Sequence, residues 1–308
     1  MKLRIPAGIR WFWEAVQGWS RDSVPSLGAS LAYYTLLAIA PILLIAIAIA
    51  SMVFDRSQVR EAVVHQLQDL TGDQGALAVQ GMLDALTSQG GDVLALSIGT
   101  FALITASLAA FGELQHALNT IFRVKAAPTG LKRKPLRFVF EFLRDRLVSF
   151  GMVLSIGFLL LVSLVVSASL NALSGWVRNH LVAAPVLWQG IEVAFSLFVV
   201  TLLFGLIYRF LPDVRLAWRD VWVGAVITAA LFSIGKFLIG LYLGHSTTAS
   251  RYGAAGSIVV LLLWVYYSSQ VVLLGAEFTR VYVNHHGKNP APKQFAEHDP
   301  SRHPSVSR

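Results

Sequence analysis

The sequence predicts an all-α, polytopic membrane protein with six transmembrane helices and both termini in the cytoplasm. Three observations carry that reading: sparse charge, six long apolar stretches, and a one-sided distribution of basic residues. Of 308 residues, 55% are hydrophobic and only 14% charged, whereas soluble domains run near a quarter charged. A membrane-spanning helix needs ~20 mostly apolar residues. Six stretches qualify, at about 27–54, 92–112, 147–170, 189–211, 221–243 and 256–279. The segments on one side hold twenty Lys/Arg: four in 1–26, eight in 123–146, three in 209–220 and five in 280–308. The other side holds four, Arg56, Arg60, Arg178 and Arg251, and Lys236 lies within a span. The basic side faces the cytoplasm.

Residues 1–26 read as a cytoplasmic, interfacial amphipathic segment. Trp11, Phe12, Trp13 and Trp19 stand among basic residues there, as in helices that lie at the headgroups. The segment lacks the long apolar core and cleavage site of a signal peptide. The membrane domain follows over 27–279. Its first span holds Pro41 centrally, which predicts a kink or tilt.

The one large extracytoplasmic piece, 55–91, reads as a helical hairpin. Val59, Val63, Leu67 and Leu70 recur at helical spacing, as do Val79, Leu83 and Leu86. Ser57 is placed to cap the first arm, and Thr71-Gly72-Asp73 to separate the two. The hairpin serves either as a solvated cap on the bundle or as a lid or docking surface for an envelope partner.

Small residues at four-residue spacing let helices approach closely: Gly151/Ser155, Ser163/Ser167 and Gly240/Gly244. The intramembrane charges carry more information. A lone charge at the bilayer centre costs roughly 2.5–3.5 kcal/mol on insertion scales, so it should face a partner or a wet cavity. Lys236 and Glu192 match in depth on the outer side. Glu113 and Glu277 lie toward the inner side, within reach of arginines. Structural ion pairing or snorkelling accounts for them, and so does a polar pathway for an ion or amphiphile. Glu113, His116 and Asn119 share one helical face, a pattern better met by a hydrogen-bonded helix end than by a metal site. No metal site and no cofactor is predicted.

The last span is the least ordinary. It opens near Arg251, Gly253 and Gly256, where free helix N–H groups suit an anionic headgroup. Tyr266, Ser269 and Gln270 then form a polar stripe near its middle, which should face the bundle interior. A pathway lining and a set of interhelical hydrogen bonds both fit the stripe. The tail, 280–308, is polar, proline-rich and without periodicity, and reads as disordered. Its histidines read as solvated.

The run Arg251-Tyr252-Gly253-Ala254-Ala255-Gly256-Ser257, with Leu263-Trp264-Val265-Tyr266-Tyr267 and Leu274-Gly275-Ala276-Glu277-Phe278, resembles the YihY/BrkB family of bacterial inner-membrane proteins. Ala29-Ser30-Leu31-Ala32-Tyr33-Tyr34 with Pro41, and Lys236 with Tyr242, extend the resemblance to about residues 10–285. It implies a six-helix, multi-pass protein of the inner membrane. Family members have carried the labels virulence factor and ribonuclease BN. The second does not suit this chain, since RNA hydrolysis needs a metal cluster or a paired acid and base at a solvent-facing site. The basic loops offer neither, and the charge of +8 is read as loop bias rather than as a nucleic-acid surface.

The predicted function is therefore non-enzymatic: a transporter or translocase of a lipid-like or small amphiphilic solute, in contact with membrane lipids. Its route would run past Arg251, Gly253, Gly256, Tyr266, Ser269, Gln270 and Glu277. There is no GxxxxGK[ST] motif, so it would not be driven by ATP directly. The alternative is an envelope scaffold that docks a protein partner through 55–91, and a membrane-embedded enzyme comes third. Cysteine is absent, which excludes thiol chemistry.

Overall fold

The computed structural model describes residues 7–52, 55–87, 93–126, 185–245, 254–286, 290–293 and 296–299. Among these are seven helices: α1 (Ala7–Arg21), α2 (Val24–Ala50), α3 (Arg56–Thr87), α4 (Val93–Ile121), α5 (Pro185–Phe210), α6 (Trp218–His245) and α7 (Ala254–His285). Two short strands, β1 (Val124–Ala126) and β2 (Ala296–His298), complete the set. Among the described residues, four stretches of helix are long and apolar enough to cross a membrane: Val24–Ala48, Val193–Phe210, Trp218–Leu238 and Ile258–His285. The stretch 92–112 falls on α4. The stretch 147–170, with its two small-residue pairs, lies outside the described residues.

The chain packs as two units. One comprises residues 1–121 and 231–278, the other 122–230 and 279–308. In the first unit α2 packs mainly on α4 and next on α3. The buried positions of α2 are largely alanine (Ala32, Ala38, Ala40, Ala50), and α4 buries Ala110 and Ala117. Small side chains let two apolar helices close on each other without a hydrophobic driving force between them. The helix α2 runs through Pro41 without interruption.

Between α1 and α2 the chain turns at Asp22-Ser23. Ser23 takes a left-handed conformation, φ 54°, which costs a non-glycine residue roughly 1–2 kcal/mol. Its carbonyl accepts from the amides of Ser26 (3.0 Å) and Leu27 (3.2 Å), so the corner also starts the next helix.

Helical conformation is continuous over α3, yet Arg60 forms an ion pair with Asp84. In a straight helix these residues would stand about 36 Å apart at 1.5 Å per residue, beyond the reach of two side chains. The element therefore doubles back on itself, and the midpoint of the pair is Gly72. Val59, Leu67, Ala76, Ala78, Val79 and Leu83 are buried apolar residues along it.

The cap of α3 is Asp55 and not Ser57. The Asp55 carboxylate accepts from the backbone amides of Ser57 (2.9 Å) and Gln58 (3.4 Å), and from the Ser57 hydroxyl. Those amides are at the second and third helical positions, the ones an N-cap side chain reaches. Ser57 is itself too far into the helix to cap it. The hydroxyl bond first, then the two amide bonds, hold the Asp55 carboxyl below its usual 3.8. A lowered folded-state pKa means the cap is fully formed above about pH 3.8 and lost as the pH falls through the folded value. Amide exchange at Ser57 and Gln58 should thus quicken in Asp55→Ala. In the wild type, protection of these amides relative to unstructured peptide should fall only below about pH 4. Protection unchanged in Asp55→Ala would remove this residue as the cap.

The second unit centres on the α5–α6 hairpin. Gly205 stands opposite Ala225, allowing close approach. Tyr208 is wholly buried, and its hydroxyl donates to Thr228 (2.8 Å), whose own hydroxyl donates to the Gly224 carbonyl (2.7 Å). The tail, expected to be disordered, is described over residues 280–286, 290–293 and 296–299. Strand β2 pairs antiparallel with β1, Val124 opposite His298 and Ala126 opposite Ala296. The Asp299 amide donates to the Arg123 carbonyl (2.9 Å). Upstream, Arg215 donates its amide to Ala291 (2.9 Å), and Lys293 donates its amide to Asp213 (2.8 Å). The segment is ordered because its backbone groups have partners from two other connections, information that local composition does not carry.

Candidate functional site

The polar residues predicted on the last span all lie on α7 or just before it. At 3.6 residues per turn, Tyr266, Gln270 and Glu277 fall within about 40° of one another around the helix, and Ser269 lies to one side. Arg251 and Gly253 are outside the described residues, and Gly256 lies in the first turn of α7.

Gln270 is engaged on both ends of its amide. Its oxygen accepts from the Trp19 indole N–H (3.1 Å), and its nitrogen faces the Val24 carbonyl at 3.5 Å, the outer limit of a hydrogen bond. Gly28 makes room for it, since a Cβ there would stand 2.0 Å from the Gln270 nitrogen. Ser269 is buried and turns its hydroxyl back to the Val265 carbonyl of its own helix (2.8 Å). Tyr266 is half-buried. Its neighbour Tyr267 donates its hydroxyl to the Leu231 carbonyl (2.9 Å), lays its ring on Gly235, and stacks on Trp264.

Glu277 has no exposed surface. Its helix is apolar for 28 residues, Ile258–His285. A carboxylate enclosed in such a helix marks function more often than architecture. Beside it, α1 lies lengthwise and antiparallel: Trp19 meets Gln270, and Phe12 meets Phe278 with ring centroids 5.8 Å apart. Seven residues along α1 thus match eight along α7. Phe12, despite that contact, and Trp13 remain largely exposed.

The other intramembrane charges belong to three different helices. Lys236 is exposed on α6, between exposed Ile234, Phe237 and Leu238, and so occupies an outward face instead of an interior one. A lysine can hold that position because its four-carbon stem lies along apolar surface while the ammonium reaches water. Glu192 is on α5, and its side chain lies outside the described set. Glu113 is half-buried on α4, with His116 exposed and Asn119 half-buried. Sequence reasoning read Trp19 only as an interfacial aromatic and missed Gly28 and Gly235. For Trp19 there was a signal, because an indole N–H drawn out of water requires an acceptor.

The family model for virulence factor BrkB matches residues 15–299. The chain belongs to that family. Several BrkB-family relatives carry the name UPF0761 membrane protein. The one from Tolumonas auensis is 28% identical over 275 residues, 87% of this chain and 82% of the relative. One from Neisseria meningitidis serogroup B is 30% identical over 272 residues, 87% of this chain and 62% of the relative. One from a Psychrobacter species is 27% identical over 262 residues. This BrkB-family chain spans about half the length of some of them, 46% of the Psychrobacter protein and 56% of one from Alkalilimnicola ehrlichii. No solved structure matches it.

Proposed function

We propose that this BrkB-family membrane protein is an inner-membrane translocase of a lipid-like or small amphiphilic solute, not driven by ATP directly. In this reading it has six spans, both termini lie in the cytoplasm, and residues 55–91 lie outside. The observation that carries it is Glu277, wholly enclosed within an apolar helix. Its stripe-mates Tyr266 and Gln270 extend a polar line along that helix, and α1 flanks the line from residue 270 to 278. A polar headgroup crossing the bilayer needs such stations in sequence, because hydrocarbon offers it no partner. The bonds that occupy Gln270 are few and exchangeable, so a headgroup can replace them. A second reading, an envelope scaffold docking a protein through α3, draws support from the exposed Leu77 on its otherwise polar surface.

The test is leaflet exchange of fluorescent-headgroup phosphatidylglycerol in vesicles containing the purified chain. Exchange should exceed that of protein-free vesicles, and Glu277→Gln should slow it about tenfold or more, equivalent to roughly 1.4 kcal/mol in the barrier. Abundance and melting temperature should stay near wild type. Exchange no faster than in empty vesicles would sink the translocase reading. Full exchange by a variant lacking 57–86, coupled to a lost envelope phenotype, would favour the scaffold.

A further inference from the structure

The turn between α5 and α6, residues 211–217, joins two stretches long enough to span a membrane, Val193–Phe210 and Trp218–Leu238. It therefore sits where hydrocarbon gives way to headgroups. Phe210 and Trp218 mark that boundary: both are exposed, and their rings meet edge to face at 6.1 Å. Amphipathic aromatics concentrate at that depth.

The turn is held rigidly. Arg209 lies over the Trp218 ring at 4.9 Å and donates from Nη1 to the Leu216 carbonyl (2.5 Å). Lys293 donates from Nζ to the Phe210 carbonyl (2.8 Å), and Val214 bridges to Pro292. These contacts fix the backbone, and two further cations stand outside them. Arg215 and Arg219 are exposed, and neither side chain has a partner among the described residues. Of the acids nearby in sequence, Asp220 is buried, and Asp213 and Asp220 each have interactions of their own. Arg219 also stands in the first turn of α6, where a cation opposes the helix dipole. Its own helix gains nothing from that charge.

We propose that this turn is a docking surface for the headgroup of an anionic phospholipid. Arg215 and Arg219 grip the phosphate, and Phe210 and Trp218 border the acyl chains. The two ends of the patch match the two ends of such a lipid, positive charge toward water and aromatic surface toward hydrocarbon. Arginine suits the role because its planar fork binds phosphate oxygens in pairs. The site does not depend on translocation, and a scaffold would be anchored by it equally.

Tryptophan quenching by brominated lipids tests this with the full chain in nanodiscs. The Trp218 signal is the difference between wild type and Trp218→Phe. Brominated phosphatidylglycerol should quench it at a lower lipid fraction than brominated phosphatidylcholine. Each basic residue near an anionic surface is worth about fivefold in binding, so Arg215→Gln with Arg219→Gln should cut the preference roughly 25-fold. The paired lysine variants, which keep the charge, should retain most of it, and this separates lost binding from lost folding. Raised salt should weaken the preference. Equal quenching by both lipids, or a preference that survives the double glutamine variant, overturns the proposal. So does abolition by millimolar inorganic phosphate, which would assign the site to the free anion.

Discussion

Gly235→Ala should destabilise the α6–α7 seam. An alanine Cβ at this position would stand 2.0–2.1 Å from three atoms of the Tyr267 ring. The ring is pinned, because its hydroxyl bonds Leu231 and its face stacks on Trp264. To admit the methyl group, Tyr267 must swing out and lose both contacts. Overpacking of this kind costs about 1–3 kcal/mol, and the lost interhelical hydrogen bond adds about 0.6. Helix propensity works the other way, favouring alanine by about 1 kcal/mol. The steric loss should win. The melting temperature in detergent should therefore fall, and Tyr267→Ala should recover part of the loss in the double variant. An unchanged melting temperature in Gly235→Ala would show that the seam is looser than its atomic distances indicate.

Gln270→Leu should abolish lipid exchange while leaving abundance near wild type. It removes the acceptor for Trp19 and the amide beside Val24. Stability should change by only about 1 kcal/mol, the usual net worth of a hydrogen bond. What changes more is α1, which loses its polar tie to α7 and should become more readily cut by protease. Trp19→Phe separates two causes. If Gln270 acts only as a tether for α1, Trp19→Phe should impair exchange as severely. If Gln270 also serves as a station for the headgroup, Trp19→Phe should leave most of the exchange intact. Full exchange in Gln270→Leu would remove it from the route.

The apolar helices were legible because a bilayer imposes a length and a composition that any one segment displays by itself. Gln270 was legible for a related reason, as a polar side chain in an apolar run. Its partner was not. The Trp19–Gln270 bond links residues 251 positions apart, and nothing local in either segment names the other. The glycines teach the same point. Four-residue spacing drew attention to Gly240 and Gly244, whereas the tight contacts at Gly28 and Gly235 involve one glycine each, opposed by a large side chain. Spacing registers a smooth helix face but not a single notch. At Asp55 the error was one of register: a cap belongs one residue before the helix, and the onset of helix was placed two residues late. The contacts of residues 290–299 were not legible because composition registers only whether a segment can fold alone. Residues 290–299 do not need to, since their strand is completed by β1.

That pairing also has a consequence in time. β1 is synthesised first, and its partner lies more than 170 residues downstream. At 5–20 residues per second, translation leaves β1 without β2 for roughly 10–30 s. Through that interval the edge of β1 carries unpaired amides and carbonyls, open to any extended chain nearby. The α5–α6 turn waits for Lys293 over a shorter part of the same interval. Insertion of the apolar helices therefore precedes closure of the second unit, and the later-made strand acts as its clasp.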